Sequence, residues 1–143
     1  LERFVEMDCI YTWSFSIVFA KEFKQFPKDQ QDKILDFIDR YEENGLVTPD
    51  TFNKYEGKIS HSWSGLEKTD KNSRYAYENN LWHYHIGIPE YINTPSNYKT
   101  SDWVLHFQWI YGENHINIVD IYRHYIIDGK FYLPPVTNLK TIS

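Results

Sequence analysis

A single cysteine, Cys9, stands among 143 residues. No disulfide can close within the chain, and a zinc site built on several thiolates is excluded. A reducing compartment suits such a chain. No stretch of about 18 apolar residues is present, so no segment reads as a helix able to cross a bilayer. The start carries no charged segment followed by an apolar core and a small-residue cleavage site. No secretory signal is visible, and a cytoplasmic site of action without membrane contact is expected. An excess of positive charge is missing too, because 15 Lys and Arg face 20 Asp and Glu for a net charge of −5. Phosphate neutralisation needs clustered cations, so any nucleic-acid surface here must be local.

What the chain does have is apolar bulk: 41% of it is hydrophobic and 18% aromatic, enough for a continuous core without disulfides or a structural metal. One soluble globular domain over residues 1–143 is expected. The first residues are Leu1-Glu2 rather than Met, which is compatible with a domain cut from a longer protein. Acidic residues concentrate between Asp29 and Glu43, while Lys54, Lys58, Lys68, Lys71 and Arg74 gather in the middle.

Residues 11–19 alternate, with Trp13, Phe15, Ile17 and Phe19 on one parity, as in a half-buried strand. From Ala20 to Phe26 the spacing turns helical, with Phe19, Phe23 and Phe26 on one side, and Pro27 interrupts it. Lys28 to Asn44 then places Ile34, Leu35, Ile38 and Tyr41 in an apolar stripe among charges, closed by Gly45. Residues 46–80 hold Pro49, Gly57, Gly65 and many small polar residues, and read as a long connection with a short strand near Lys58 to Trp63. Three strand-like runs follow: Asn80 to Ile88, Trp103 to Tyr111 and Ile116 to Tyr125. Pro89 to Ser101 separates the first two as a loop, and Gly112-Glu113-Asn114 connects the last two tightly. Pro134-Pro135 ends regular structure. Strand, helix, helix, then strands predicts an α+β domain, with an N-terminal strand and helical hairpin packed on one face of an antiparallel β-sheet.

Four stretches in this order carry a family likeness: IVFAKEFKQFPKDQQDKILDFIDRYEENG at 17–45, YEGKISHSW at 55–63, NLWHYHIGI at 80–88 and WVLHFQWIYGENHINIVDIYRHY at 103–125. The chain resembles the RelE/ParE superfamily of bacterial toxins, and within it the YafO or HigB side. The likeness is one of pattern, covers most of the chain and implies a RelE-like fold. It also implies a toxin that cleaves RNA, on or off the ribosome, inhibits translation and growth, and is neutralised by a cognate antitoxin or immunity protein. A minority of such toxins inhibit DNA gyrase without cutting RNA, and similar folds end large secreted effectors. Two features depart from the pattern: relatives are usually basic, and many carry arginines where His83 and His85 stand. Both departures bear on ribosome dependence more than on the fold.

Residues two apart on a strand share a face about 7 Å apart. His83 and His85 therefore point together, opposite Trp82, Tyr84, Ile86 and Ile88, whose apolar face belongs against the helices. The histidines are expected to look out from the open side of the sheet. In the next strand Trp103, Leu105, Phe107 and Trp109 form the apolar face, leaving His106 and Gln108 on the other, where His106 can stand near His83 or His85. The last strand is ambiguous, with Val119, Ile121, Arg123 and Tyr125 on one parity and Ile118, Asp120, Tyr122 and His124 on the other. A bulge near its end would present Arg123, His124 and Tyr125 differently.

Metal-free RNA cleavage needs a base for the ribose 2′-hydroxyl, an acid for the leaving 5′-oxygen and a cation for the charge on phosphorus. Histidine fills either proton-transfer role. His83, His85, His106, Arg123, His124 and Tyr125 are the catalytic candidates, with Lys54 and Lys58 as RNA-binding cations and no cofactor. Each has a plainer reading: solvated strand histidines, strand-end packing for His124 and Tyr125, a salt bridge from Arg123 to Asp120 or Glu113, a solvated loop for Lys58. His61 and His115 carry little signal. The same residues permit a metal reading, since His-x-His plus a third histidine can hold zinc or iron, but no carboxylate or fourth ligand is placed by the pattern. The acidic balance supports an alternative of another class, a non-catalytic module that binds a basic protein partner.

Overall fold

The computed structural model describes residues 10–46, 49–64, 70–95, 98–126 and 129–139. Lys68 and Gly65 lie outside the described residues.

The first strand, β1, is shorter than the alternation suggests, Thr12–Phe15, and helix α1 runs over Ile17–Phe23. The reason is Ser16, whose hydroxyl accepts the Phe19 amide at 3.2 Å and caps the helix. Phe15 and Phe19 still meet, with ring centroids 4.9 Å apart, because one lies at the end of the strand and the other one turn into the helix. Helix α2 spans Lys28–Asn44 as the periodicity predicts. Gly45 ends it at φ 66°, its amide bonded to the Tyr41 carbonyl at 2.8 Å, and a Cβ there would fall 2.3 Å from the Tyr11 ring. The buried stripe is Ile34, Phe37, Ile38 and Tyr41, whereas Leu35 faces solvent. Spacing of three, four and seven selects Phe37 and rejects Leu35.

A short 3-10 helix, Pro49–Lys54, and β2, Ile59–His61, follow. Helix α3, Lys71–Glu78, occupies part of what reads as a long connection, its first amides held by the Asp70 carboxylate. Strand β3 is Leu81–His85, and the following loop carries two small paired strands, β4 (Ile92–Asn93) and β5 (Lys99–Thr100). Strands β6, Trp103–Trp109, and β7, His115–Arg123, form the final hairpin, and a 3-10 turn at Val136–Asn138 lies near the end.

The main sheet has the order β1-β7-β6-β3-β2. It is antiparallel except for β1, which pairs parallel with β7 at the edge. The fold is α+β. On one face Phe37 of α2 stacks on Tyr84 at 4.8 Å and sits 5.8 Å from Phe107, inside a cluster that includes Trp82, Leu105, Trp109, Ile116, Ile118 and Ile121. Buried side chains of this size each stabilise the fold by about 1.5–3 kcal/mol through removal of apolar surface from water.

The second face is not open, contrary to the expectation from the helical hairpin alone. Ala76 of α3, Leu81 and Val119 are fully buried there, with Tyr75, Leu133 and Leu139 packed against them. A β-bulge settles the ambiguity of β7. His106 pairs with Asp120 and Phe107 with Ile118, leaving Val119 as the extra residue. Ile118 and Ile121 then both join the helix-side core, while Val119 packs on the other side.

Candidate functional site

The alternation of β3 sends Trp82 and Tyr84 to the helices and His83 and His85 to the second face. Register does the rest. His83 is paired with His106, and His106 with Asp120. Just past β7, the His124 amide donates to the Asp102 carbonyl at 2.7 Å and its carbonyl accepts from Tyr132 at 3.0 Å. These bonds fix the backbone so that the His124 ring returns over β3, with centroids 5.0 Å from both His83 and His85. The result is a cavity of about 560 Å³ with four imidazoles in its walls, and with Lys58, Ser62, Asp102, Tyr125, Phe131 and Tyr132 also lining it.

Each ring is held differently. His83 Nδ1 lies 2.9 Å from the Ser62 hydroxyl, and its Nε2 is 3.3 Å from Nε2 of His124. His85 Nδ1 meets the main chain of Ser101, whose carbonyl stands at 2.9 Å and whose amide stands at 3.1 Å. Gly57 lets the chain pass close to the His85 backbone, because a Cβ there would fall 1.8 Å from the His85 carbonyl oxygen. Both ring nitrogens of His106, and Nδ1 of His124, are buried without a hydrogen-bond partner among the described residues.

The expectation that the histidines look out to solvent is therefore corrected. His106 and His85 are buried, and segment 131–133 forms part of the wall beside them. Burial disfavours the imidazolium form and holds all four pKa values below the ordinary histidine value: His106 at about 3, His124 at about 4, His83 well below and His85 below. The neighbouring imidazoles push His83, His106 and His124 further down, and Lys58 adds to the effect on His83, His85 and His124. The Ser101 contact opposes it at His85, and Asp102 opposes it at His124. The imidazoles are neutral at pH 7.

Of the remaining candidates, Lys58 lines the cavity and Tyr125 stands at its rim, half-exposed, its ring 4.5 Å from His124. Arg123 does not line it. Its guanidinium lies 3.9 Å from the Asp102 carboxylate in an exposed pair, so the salt-bridge partner is Asp102 rather than Asp120 or Glu113. Lys54 lies away from the histidines, beside a separate polar cavity with Lys33, Arg40 and Tyr91. His61 stacks on Trp63 at 4.5 Å, and His115 sits at the start of β7 against Thr12 and Ser14.

Sequence reasoning missed Ser62, Ser101, Asp120 and Tyr132. Asp120 accepts a short hydrogen bond from the Tyr132 hydroxyl and another from the Ile121 amide at 2.9 Å, and the Tyr132 ring lies 5.6 Å from His106. Burial raises the Asp120 carboxyl to about 6, Glu22 adds to the rise, and the two hydrogen bonds limit it. The one available signal was the parity of Asp120, which the bulge made unreadable.

The chain matches no protein-family model, no curated protein and no solved structure. Among the described residues, no helix is long and apolar enough to cross a membrane.

Proposed function

We propose that this chain is a ribonuclease toxin of the RelE/ParE type, similar to its YafO/HigB side. It would cut RNA in the cytoplasm, on or off the ribosome, by metal-free acid–base chemistry, and a cognate antitoxin or immunity protein would neutralise it. The observation that carries this reading is the convergence of His83, His85, His106, His124 and Lys58 on one cavity. The order strand, helical hairpin with a proline at its turn, central strand and final hairpin supports the RelE-like part.

In this reading a phosphodiester seats beside Lys58, whose ammonium offsets the charge growing on phosphorus. One imidazole of the His83–His124 pair takes the proton of the ribose 2′-hydroxyl. The freed oxygen attacks phosphorus, a 2′,3′-cyclic phosphate forms, and the P–O5′ bond breaks. The other imidazole, protonated once the phosphate anion is beside it, gives its proton to the leaving 5′-oxygen. Tyr125 at the rim offers a ring for base stacking.

Induced expression should arrest growth, and purified protein should cleave RNA in the presence of EDTA. Loss of both in a folded His83→Ala/His85→Ala/His124→Ala variant is the expected result. Undiminished cleavage by that variant would sink the assignment.

A second reading draws on the exposed carboxylates of α2, Asp29, Asp32, Asp36, Asp39, Glu42 and Glu43. Such a surface suits a non-catalytic module, a gyrase-inhibiting relative or an acidic immunity-type binder, whose partner is basic. Intact cellular RNA after induction, with salt-sensitive capture of a basic protein, favours it.

A further inference from the structure

His-x-His with a third histidine is a zinc-type ligand set, and the third histidine that the fold brings to His83 and His85 is His124. We propose that His83, His85 and His124 bind one divalent transition-metal cation of the zinc type, with a fourth coordination position facing the cavity. One ring nitrogen from each of the three lies within 4.8 Å of the others. The His83 and His124 Nε2 atoms stand 3.3 Å apart. Tetrahedral zinc with nitrogen ligands at about 2.0–2.1 Å separates neighbouring nitrogens by about 3.3–3.4 Å, so this pair already has the required spacing. The His85 ring has to close by at most about 1.5 Å, a small rotation of an imidazole.

The outer nitrogens point the same way. His83 Nδ1 lies against the Ser62 hydroxyl, and His85 Nδ1 faces the Ser101 carbonyl at 2.9 Å and the Ser101 amide at 3.1 Å; in the tautomer in which each Nδ1–H donates to its oxygen, Nε2 of each ring presents its lone pair to a ligand. An imidazole that donates its outer N–H to an oxygen has its other lone pair oriented and made more basic, as metal-binding histidines do. Three neutral imidazoles without a thiolate or an oxygen cage suit zinc and its neighbours rather than magnesium or calcium. Of the charged groups in the wall, Lys58 opposes a dication and Asp102 offsets it.

The proposal stands apart from the ribonuclease reading, although it concerns the same nitrogens. Its test is calorimetric titration of ZnCl2 into the full chain after chelator treatment, with Co2+ absorption in the visible as a report of tetrahedral nitrogen coordination. One equivalent should bind. His85→Ala and His124→Ala should each weaken binding at least tenfold while circular dichroism shows the fold retained, and His85→Gln serves where the alanine variant fails to fold. His115→Ala, which removes an exposed histidine from the other end of β7, should bind as the parent does. The absence of saturable one-to-one binding, or binding that survives the folded cavity variants, overturns the site. Zinc bound one-to-one with no RNA cut under any condition leaves the site standing and removes the ribonuclease reading. Chelator-resistant cleavage without zinc binding does the reverse.

Discussion

Replacing Asp120 by asparagine should stabilise the protein at pH 8 and change little at pH 4. Asp120 is 7% exposed, and burial raises its carboxyl from 3.8 to about 6. A raised acid is one whose neutral form the fold favours. The stability it contributes is fully present below pH 3.8, declines as pH rises, and is lost above about 6. A shift of about two units corresponds to about 3 kcal/mol between those limits, of which some is returned by relaxation around the charge. Asparagine keeps the shape, its oxygen can accept from the Ile121 amide, and its amide can donate to the Tyr132 oxygen, so the hydrogen bonds survive without the charge. Urea unfolding of both proteins at pH 4, 5, 6, 7 and 8 isolates the effect, because the histidines titrate alike in each and cancel in the difference. The difference should grow in favour of Asp120→Asn by about 1–3 kcal/mol between pH 4 and pH 8. A difference that does not vary with pH, or a variant less stable than the parent at pH 8, would refute the argument that burial dominates the Tyr132 and Ile121 bonds.

His106→Leu should be neutral to stabilising by about 1 kcal/mol at pH 7, since it removes two buried nitrogens that have no partner among the described residues. Its advantage should widen below pH 6.5, where the unfolded chain takes up a proton that the folded imidazole, at about 3, refuses; denaturant midpoints at pH 7 and pH 5 measure both effects. Phe37→Ala should cost about 3–5 kcal/mol, read as a drop in melting temperature, because that ring touches Tyr55, Tyr84 and Phe107 together. If RNA cleavage is observed, zinc at one equivalent should suppress it and EDTA restore it, since a seated cation takes the lone pairs that proton transfer needs. Stimulation by zinc in the same gel assay would place the metal in the reaction.

Much of the architecture was legible where one periodicity dominated. In α2, Ile34, Ile38 and Tyr41 stand at helical spacing, Pro27 marked the start and Gly45 the end, and the alternation of β3 and β6 assigned the histidines to the correct face. The failures came where two patterns fitted the same residues or none did. Trp13, Phe15, Ile17 and Phe19 alternate like a strand, yet Phe15, Phe19 and Phe23 are also four apart. The decisive signal was the capping hydroxyl of Ser16 rather than any apolar residue. Helix α3 buries only Ser73 and Ala76, too little for a stripe to show, and its one marker was Asp70 at the N-terminus. The bulge at Val119 changed parity in mid-strand, which no alternating pattern can encode. The wall over the histidines was illegible because Tyr132 and Leu133 are brought to them by the pairing of Tyr125 with Phe131 and by the Tyr132–Asp120 hydrogen bond, contacts that no strand periodicity encodes.

The burial of the histidines changes what they imply. Solvated imidazoles on an open sheet cost nothing and say nothing, whereas four of them lining one cavity, neutral and with three buried nitrogens lacking a partner among the described residues, fill the second face less favourably than aliphatic side chains would. The neighbouring positions show that the chain can pack this face well, because Leu81 and Val119 are fully buried beside Ala76. Serines hold two of the rings in fixed orientation, which a merely tolerated histidine does not need. A ligand that recovers the lost interactions, whether a phosphodiester accepting protons or a cation accepting lone pairs, accounts for an arrangement that stability alone does not. The two ligands differ in the sign of charge they bring beside Lys58. A phosphate is drawn to that ammonium and a dication repelled by it, so Lys58→Met should weaken RNA cleavage while strengthening zinc binding. A loss of both on folded protein would mean that the Lys58 side chain acts on the shape of the cavity wall rather than on the ligand through its charge.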